Sequence, residues 1–323
     1  MSSHTTGKID VYNHIVPPFY AKVRSLKLRT PRVDLGANNS HSCARNRRRP
    51  LRLDHSNMDT PNRTNPHAKH RRLDRFPLPY SPRRRSPLRR RQLKLTRDVN
   101  EYSAAVRDAN PSTFGFFAAL PSLLNIKAAL AEIAYTLDVL KADGVTFFTR
   151  YGDGNYYLGH DEFKPIWEEV NKRKAVVFIH PTHPVDTNLV HRTLPQPVLD
   201  YPHETTRTAM DMIMSGTKRT YPDCKVILSH GGGTIPFLLT RAAQLVSRLP
   251  PQFNSSKSAE EIAEDAKSFY LDLALATSPE ILSTLVNNFP HNKILFGSDM
   301  PYAQEGAGWR LMRCWMSIRW ERT

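Results

Sequence analysis

From about residue 99 onward, short apolar runs alternate with longer amphipathic stretches. FGFFAAL (114–120), GVTFFTR (144–150), AVVFIH (175–180), KVILSH (225–230), FYLDLAL (269–275) and KILFGSD (293–299) have strand length and are rich in β-branched and aromatic residues. Between them, apolar positions recur with helical spacing near 123–142, 161–173, 203–216, 235–248, 258–267 and 278–288. Strands that are apolar throughout and separated by helices specify a parallel sheet covered on both faces. KIDVYNH, near the N-terminus, adds a seventh strand candidate. An eight-stranded barrel needs one strand more and about 250 residues. No glycine-rich phosphate fingerprint follows the first strand, so a doubly wound nucleotide-binding sheet is the weaker reading. The pattern predicts an α/β fold, a TIM-like (β/α)8 barrel with one strand–helix unit disrupted.

Charge locates the disruption. The 323 residues carry a formal charge of +16, with 46 Lys+Arg against 30 Asp+Glu. Residues 22–97 hold 23 of the basic residues and 4 of the acidic ones, which leaves 23 against 26 elsewhere. Runs such as SPRRRSPLRRRQLK combine like charge with proline and too little apolar surface to offset their ordering entropy. The expected organisation is a first barrel strand in 1–22, a basic disordered insert in 23–97, the remainder of the barrel in 98–304 and a divergent tail in 305–323. The insert lacks the interleaved aromatics that stack on bases and it interrupts a domain, which argues against a nucleic-acid arm. It reads best as a stretch foreign to the fold, a retained intron or a shifted frame. Cys43, Cys224 and Cys314 are scattered and odd in number, which fits a reducing compartment. With no apolar signal core and no run of about 18 apolar residues, the expectation is a cytoplasmic protein without membrane or nucleic-acid partners.

Four strands end in side chains suited to chemistry: His14, His180, His230 and Asp299. The carboxyl ends of barrel strands are where active sites form, and imidazoles with a carboxylate suit a divalent metal that keeps an open position. Each residue alone has a plain structural reading: a hydrogen-bonded strand-end histidine, a turn before glycines, a helix cap. Their joint placement at one end of successive strands carries the argument. In SHGGGTIPFLLTR the glycines permit close backbone approach to a ligand and positive φ. Arg241 on the helix that follows is either a carboxylate-binding group or a surface residue.

IDVYNHIVPPFY, FIHPTHP, YPHETTR, LSHGGG and FGSDMPYA together resemble the amidohydrolase-related decarboxylases, the group around aminocarboxymuconate-semialdehyde decarboxylase. The resemblance covers residues 7 to about 22 and about 98 to 304. It implies a TIM-like barrel, a divalent metal (zinc, or manganese in some members) with no organic cofactor, and nonoxidative loss of CO2 from a small aromatic acid. A hydroxybenzoate such as 6-methylsalicylate is the implied substrate. It places metal ligands on His14, His180 and Asp299, an acid/base role on His230 and Asp299, and substrate binding on Arg241 across a homodimer. Tyr12 departs from the family pattern, standing where a first ligand histidine is expected. The alternatives carried forward are a metal-dependent hydrolase of the same superfamily and an inactive pseudoenzyme from a disrupted gene.

Overall fold

The structure, a computed structural model, describes residues 8–14, 17–18, 68–73, 87–246, 248–253 and 257–303. The chain divides into two units, residues 1–16 with 68–323 and residues 17–67. Only Pro17 and Pro18 of the second are described, and the first holds the barrel.

Its strands are β1 (Lys8–Asp10), β2 (Ala68–Leu73), β3 (Phe114–Ala119), β4 (Gly144–Phe148), β5 (Val176–His180), β6 (Lys225–Leu228), β7 (Tyr270–Asp272) and β8 (Ile294–Leu295). Each pairs in parallel with the next in chain order. The ends of this sheet meet just beyond the ladders. Val11 N–H donates to Phe296 O at 2.9 Å, His14 N–H to Met300 O at 2.7 Å, and Asp299 N–H to Tyr12 O at 2.8 Å. These bonds close the sheet into the predicted barrel. The accompanying helices are α1 (Pro87–Ala109), α2 (Ile126–Ala134), α3 (Lys164–Lys172), α4 (Gln196–Met214), α5 (Ile235–Val246), α6 (Ala259–Lys267) and α7 (Pro279–Asn288).

Successive strand side chains point to opposite faces, so parity decides what lines the barrel. Val145, Phe147, Val177, Ile179, Val226 and Leu228 face outward and join the main core with Ile166, Trp167 and Met212 of the helices. The opposite parity gives a separate buried cluster of Tyr12, Phe117, Phe178, Ile227 and Ala274 inside the barrel. His180 lies two residues beyond Phe178, and His14 two beyond Tyr12. Both therefore project inward, above that apolar layer, at the carboxyl ends of their strands.

The expected insert at 23–97 needs correcting at two places. Ala68–Leu73 (AKHRRL) forms β2, the strand that the apolar pattern lacked. Strand pairing uses backbone groups, so a basic hexapeptide can occupy the slot without an apolar signature. The boundary at 97/98 also falls inside α1. That helix buries Thr96, Val99, Asn100, Ser103 and Ala104, at helical spacing but mostly polar, while Arg90 and Arg91 are exposed. Asn100 explains why a polar residue belongs there. Its side chain donates to Ala119 O and accepts from Ala119 N–H, both at 2.9 Å, and Arg97 pairs with Glu132 at 2.7 Å. The rest of 23–97 and the tail 305–323 lie outside the described residues.

Candidate active site

The four strand-end residues come together. His14 Nε2 lies 2.9 Å from Asp299 Oδ1, and both residues are buried. The His14 and His180 rings are 5.3 Å apart, nearly perpendicular. The Tyr12 ring stands among them, 5.2 Å from His14, 5.6 Å from His180 and 5.2 Å from His230, packed on Phe178 at 5.0 Å. Its hydroxyl is 3.5 Å from His230 Nε2. Arg241 is not brought to the group: it lies exposed on α5.

Backbone carbonyls set the tautomers of two histidines. His180 Nδ1 lies 2.6 Å from Pro181 O and His230 Nδ1 lies 3.0 Å from Ala274 O. A carbonyl only accepts, so each Nδ1 carries the proton and each Nε2 offers a lone pair. Burial pushes the His180 imidazole well below its usual pKa, and the neighbouring His14 adds to this. Burial also lowers His230, opposed by Asp299. Both rings are therefore held neutral, as a ligand or proton acceptor must be.

The backbone is strained at the same residues. His230 (φ 57°) and Asp299 (φ 53°) occupy the left-handed region, which costs a non-glycine residue about 1–3 kcal/mol. Hydrogen bonds hold them there, from His230 to Asp272 and Ala274 and from Asp299 N–H to Tyr12 O. The three glycines after His230 adopt the expected positive φ, 66°, 77° and 67°. A Cβ on Gly233 would collide with Pro202 O, so its absence lets α4 pack against this turn.

In kind, two neutral imidazoles and a carboxylate fit a divalent ion. In placement, no group of three His, Cys, Asp or Glu side chains among the described residues is set to hold one. His14 Nε2 is engaged with Asp299, and a phenol stands at the centre of the group.

Three acids and an arginine escaped the sequence reading. Asp10 Oδ1 accepts from Tyr12 N–H at 3.1 Å and Ser298 N–H at 3.0 Å. Asp272 Oδ1 accepts from Ala274 N–H at 2.8 Å and His230 N–H at 3.3 Å. Both interrupt apolar strands, KIDV and YLDL, and a buried acid inside a strand was the available signal. Further out, Glu204 of YPHETTR accepts from Tyr157 Oη at 3.0 Å, and Arg150 Nε is 3.7 Å from Glu204 Oε2. Arg150 also donates to His183 O (2.8 Å), Pro184 O (2.7 Å) and Gly152 O (2.8 Å), pinning the loop after β5.

The amidohydrolase sequence profile matches residues 86–311, beginning one residue before α1. The chain belongs to this amidohydrolase family. It is 53% identical over 220 residues to a 6-methylsalicylic acid decarboxylase of Aspergillus aculeatus, covering 68% of this chain and 67% of that one. A 6-methylsalicylic acid decarboxylase of Penicillium expansum is 52% identical over 213 residues, covering 66% and 65%. The matched stretch thus spans about two thirds of the length of these relatives. A dihydroxybenzoic acid decarboxylase from Polaromonas, solved with bound manganese, superposes with a TM-score of 0.68 at 20% identity, covering 95% of this chain and 90% of that one. That likeness gives the fold, a TIM barrel whose sheet is here fully parallel. Among the described residues no helix is long and apolar enough to cross a membrane.

Proposed function

We propose that this amidohydrolase-family chain is a carboxy-lyase that removes CO2 nonoxidatively from a small hydroxybenzoate, 6-methylsalicylate or a near relative. The observation that carries the proposal is the convergence of His14, His180, His230 and Asp299 at the barrel's carboxyl end, on a chain that is 53% identical over 220 of its residues to an enzyme named for that reaction. In the reaction, Asp299 or His230 delivers a proton to the ring carbon bearing the carboxylate. The carbon–carbon bond then breaks, its electron pair restores the aromatic ring, and CO2 leaves. The protonated ring is the electron sink, so no organic cofactor is required. The unprotonated Nε2 of His230, with the Tyr12 hydroxyl beside it, first takes up a proton and then passes it to the ring carbon, where it stays in the product in place of the carboxylate.

A divalent ion, zinc or manganese, would be held by His14, His180 and Asp299, and would supply positive charge against the substrate's carboxylate and phenol oxygens. Holding it requires His14 Nε2 to give up its contact with Asp299. Arg241, exposed on α5, suits presentation to the pocket of a second copy, in keeping with a homodimer. The scattered, odd-numbered cysteines of the sequence favour a reducing, cytoplasmic setting.

The test is CO2 and m-cresol release from 6-methylsalicylate by folded, metal-supplemented protein. No turnover across a panel of hydroxybenzoates overturns the proposal, and hydrolysis products from lactone or amide substrates would assign the hydrolase reading instead. The inactive reading rests on one observation, the Tyr12 ring among donors not placed for an ion. A protein that stays metal-free in excess zinc and manganese, and inert, supports it.

A further inference from the structure

Asp272 ends β7 fully buried, yet nothing in the proposed reaction uses it. Its Oδ1 touches both ends of the His230 geometry. It accepts the His230 backbone N–H at 3.3 Å, at the residue forced to φ 57°. It also accepts Ala274 N–H at 2.8 Å, and the carbonyl of that same Ala274 takes the His230 Nδ1 proton at 3.0 Å. One oxygen therefore holds the backbone that carries the imidazole and the residue whose carbonyl fixes its tautomer. The site leaves no slack: a Cβ on Gly297 would come within 3.0 Å of this oxygen.

The second carboxyl oxygen behaves differently. Oδ2 is buried and finds no hydrogen-bond partner among the described residues. A buried anion would leave that oxygen uncompensated, at a cost that drives such groups to take up a proton. Burial, together with Asp299 and Asp10, pushes this carboxyl well above its usual range. The residue thus works through an oxygen acceptor, and its charge is not needed for that.

We infer that Asp272 is a positioning residue for His230, fixing the imidazole as the Nδ1–H tautomer with Nε2 directed at the Tyr12 hydroxyl and the reaction centre. The inference rests on the proposed role of His230 for its effect on rate, while its effect on the tautomer stands independently.

The test uses the full-length protein labelled with 15N, with imidazole tautomers read by long-range NMR correlation. Asp272→Asn keeps an Oδ1 acceptor, and Asp272→Leu removes it. The wild type and Asp272→Asn are expected to show His230 as Nδ1–H, with most of kcat retained. Asp272→Leu is expected to show mixed tautomers and a kcat lower by roughly 10- to 100-fold with KM little changed, the usual size of effect for a group acting through a partner. An Nε2–H tautomer in the wild type overturns the inference. So does a folded leucine variant with tautomer and kcat intact, or an asparagine variant that loses the Nδ1–H form. If the leucine variant does not fold, the wild-type and asparagine tautomers decide. If the wild type turns over no hydroxybenzoate, the proposed reaction fails and the tautomer comparison still judges Asp272.

Discussion

His14 and Asp299 meet at 2.9 Å across 285 positions of sequence, one following the first barrel strand and the other following the last. Removing His14 as alanine leaves the buried Asp299 carboxyl one partner short. Such a loss costs about 1–3 kcal/mol. His14→Ala should lower the urea midpoint accordingly and abolish turnover, whereas an unchanged midpoint would mean that the contact contributes nothing to the closed barrel.

Tyr12 should govern metal content. The phenol is a weak ligand unless a metal depresses its high pKa, while an imidazole at the same place binds directly. Tyr12→His is expected to raise bound zinc or manganese toward one ion per chain after equilibration and desalting, measured by plasma mass spectrometry. Tyr12→Phe should not raise it. Equal metal content in all three proteins would show that residue 12 lies outside the ligand set.

His180 makes stability depend on pH with a definite sign. Its folded pKa lies well below the ordinary 6.5, so below pH 6.5 the unfolded chain binds a proton that the folded chain refuses. Stability therefore falls as pH drops from 6.5 toward the folded value, by up to about 1.4 kcal/mol per pH unit from this group. Denaturant titrations between about pH 7 and pH 5 in EDTA should show the decline, and His180→Gln should flatten it. A slope unaffected by the substitution would assign the pH dependence to other groups.

Arg150 should control the loop after β5. Its guanidinium serves four carbonyls on two segments at once, which a lysine ammonium on a flexible stem cannot reproduce. Arg150→Ala and Arg150→Lys are both expected to speed proteolysis within 181–195, with stability reduced by roughly 1.5–3 kcal/mol in the alanine variant. A lysine variant as resistant as the wild type would show that charge alone suffices.

Barrel and site differ in how far the sequence discloses them. Strands such as VVFIH and KVIL are apolar on both faces because both faces are covered, so they are legible as runs, and the polar residue closing each run marks the barrel mouth. β2 is not legible, since AKHRRL pairs through its backbone without an apolar run. α1 hides its buried face behind Thr96, Asn100 and Ser103, and Asn100 is held there by hydrogen bonds to Ala119 and Glu132 rather than by hydrophobicity. α4 begins at Gln196, ahead of the expected 203, because Pro197 is tolerated in the first turn and Pro202 is accommodated further in. At the site, the strand-end histidines are readable from position alone. Asp272 and Asp10 are harder to read, because besides near neighbours each binds a backbone N–H that only the closed fold brings near, that of His230 and of Ser298 respectively.

The hydrogen bonds that join residues 11–14 to residues 296–300 also set a timetable. During synthesis the first strand waits, with its edge unpaired, until almost three hundred further residues have been made. The site cannot be complete before that moment, because Asp299 and its contact with His14 arrive last. Contacts of such long range form slowly. Chemistry in this protein therefore arrives in a single late event, and a chaperone that shields the waiting edge would have more influence on the yield of working enzyme than on its final stability.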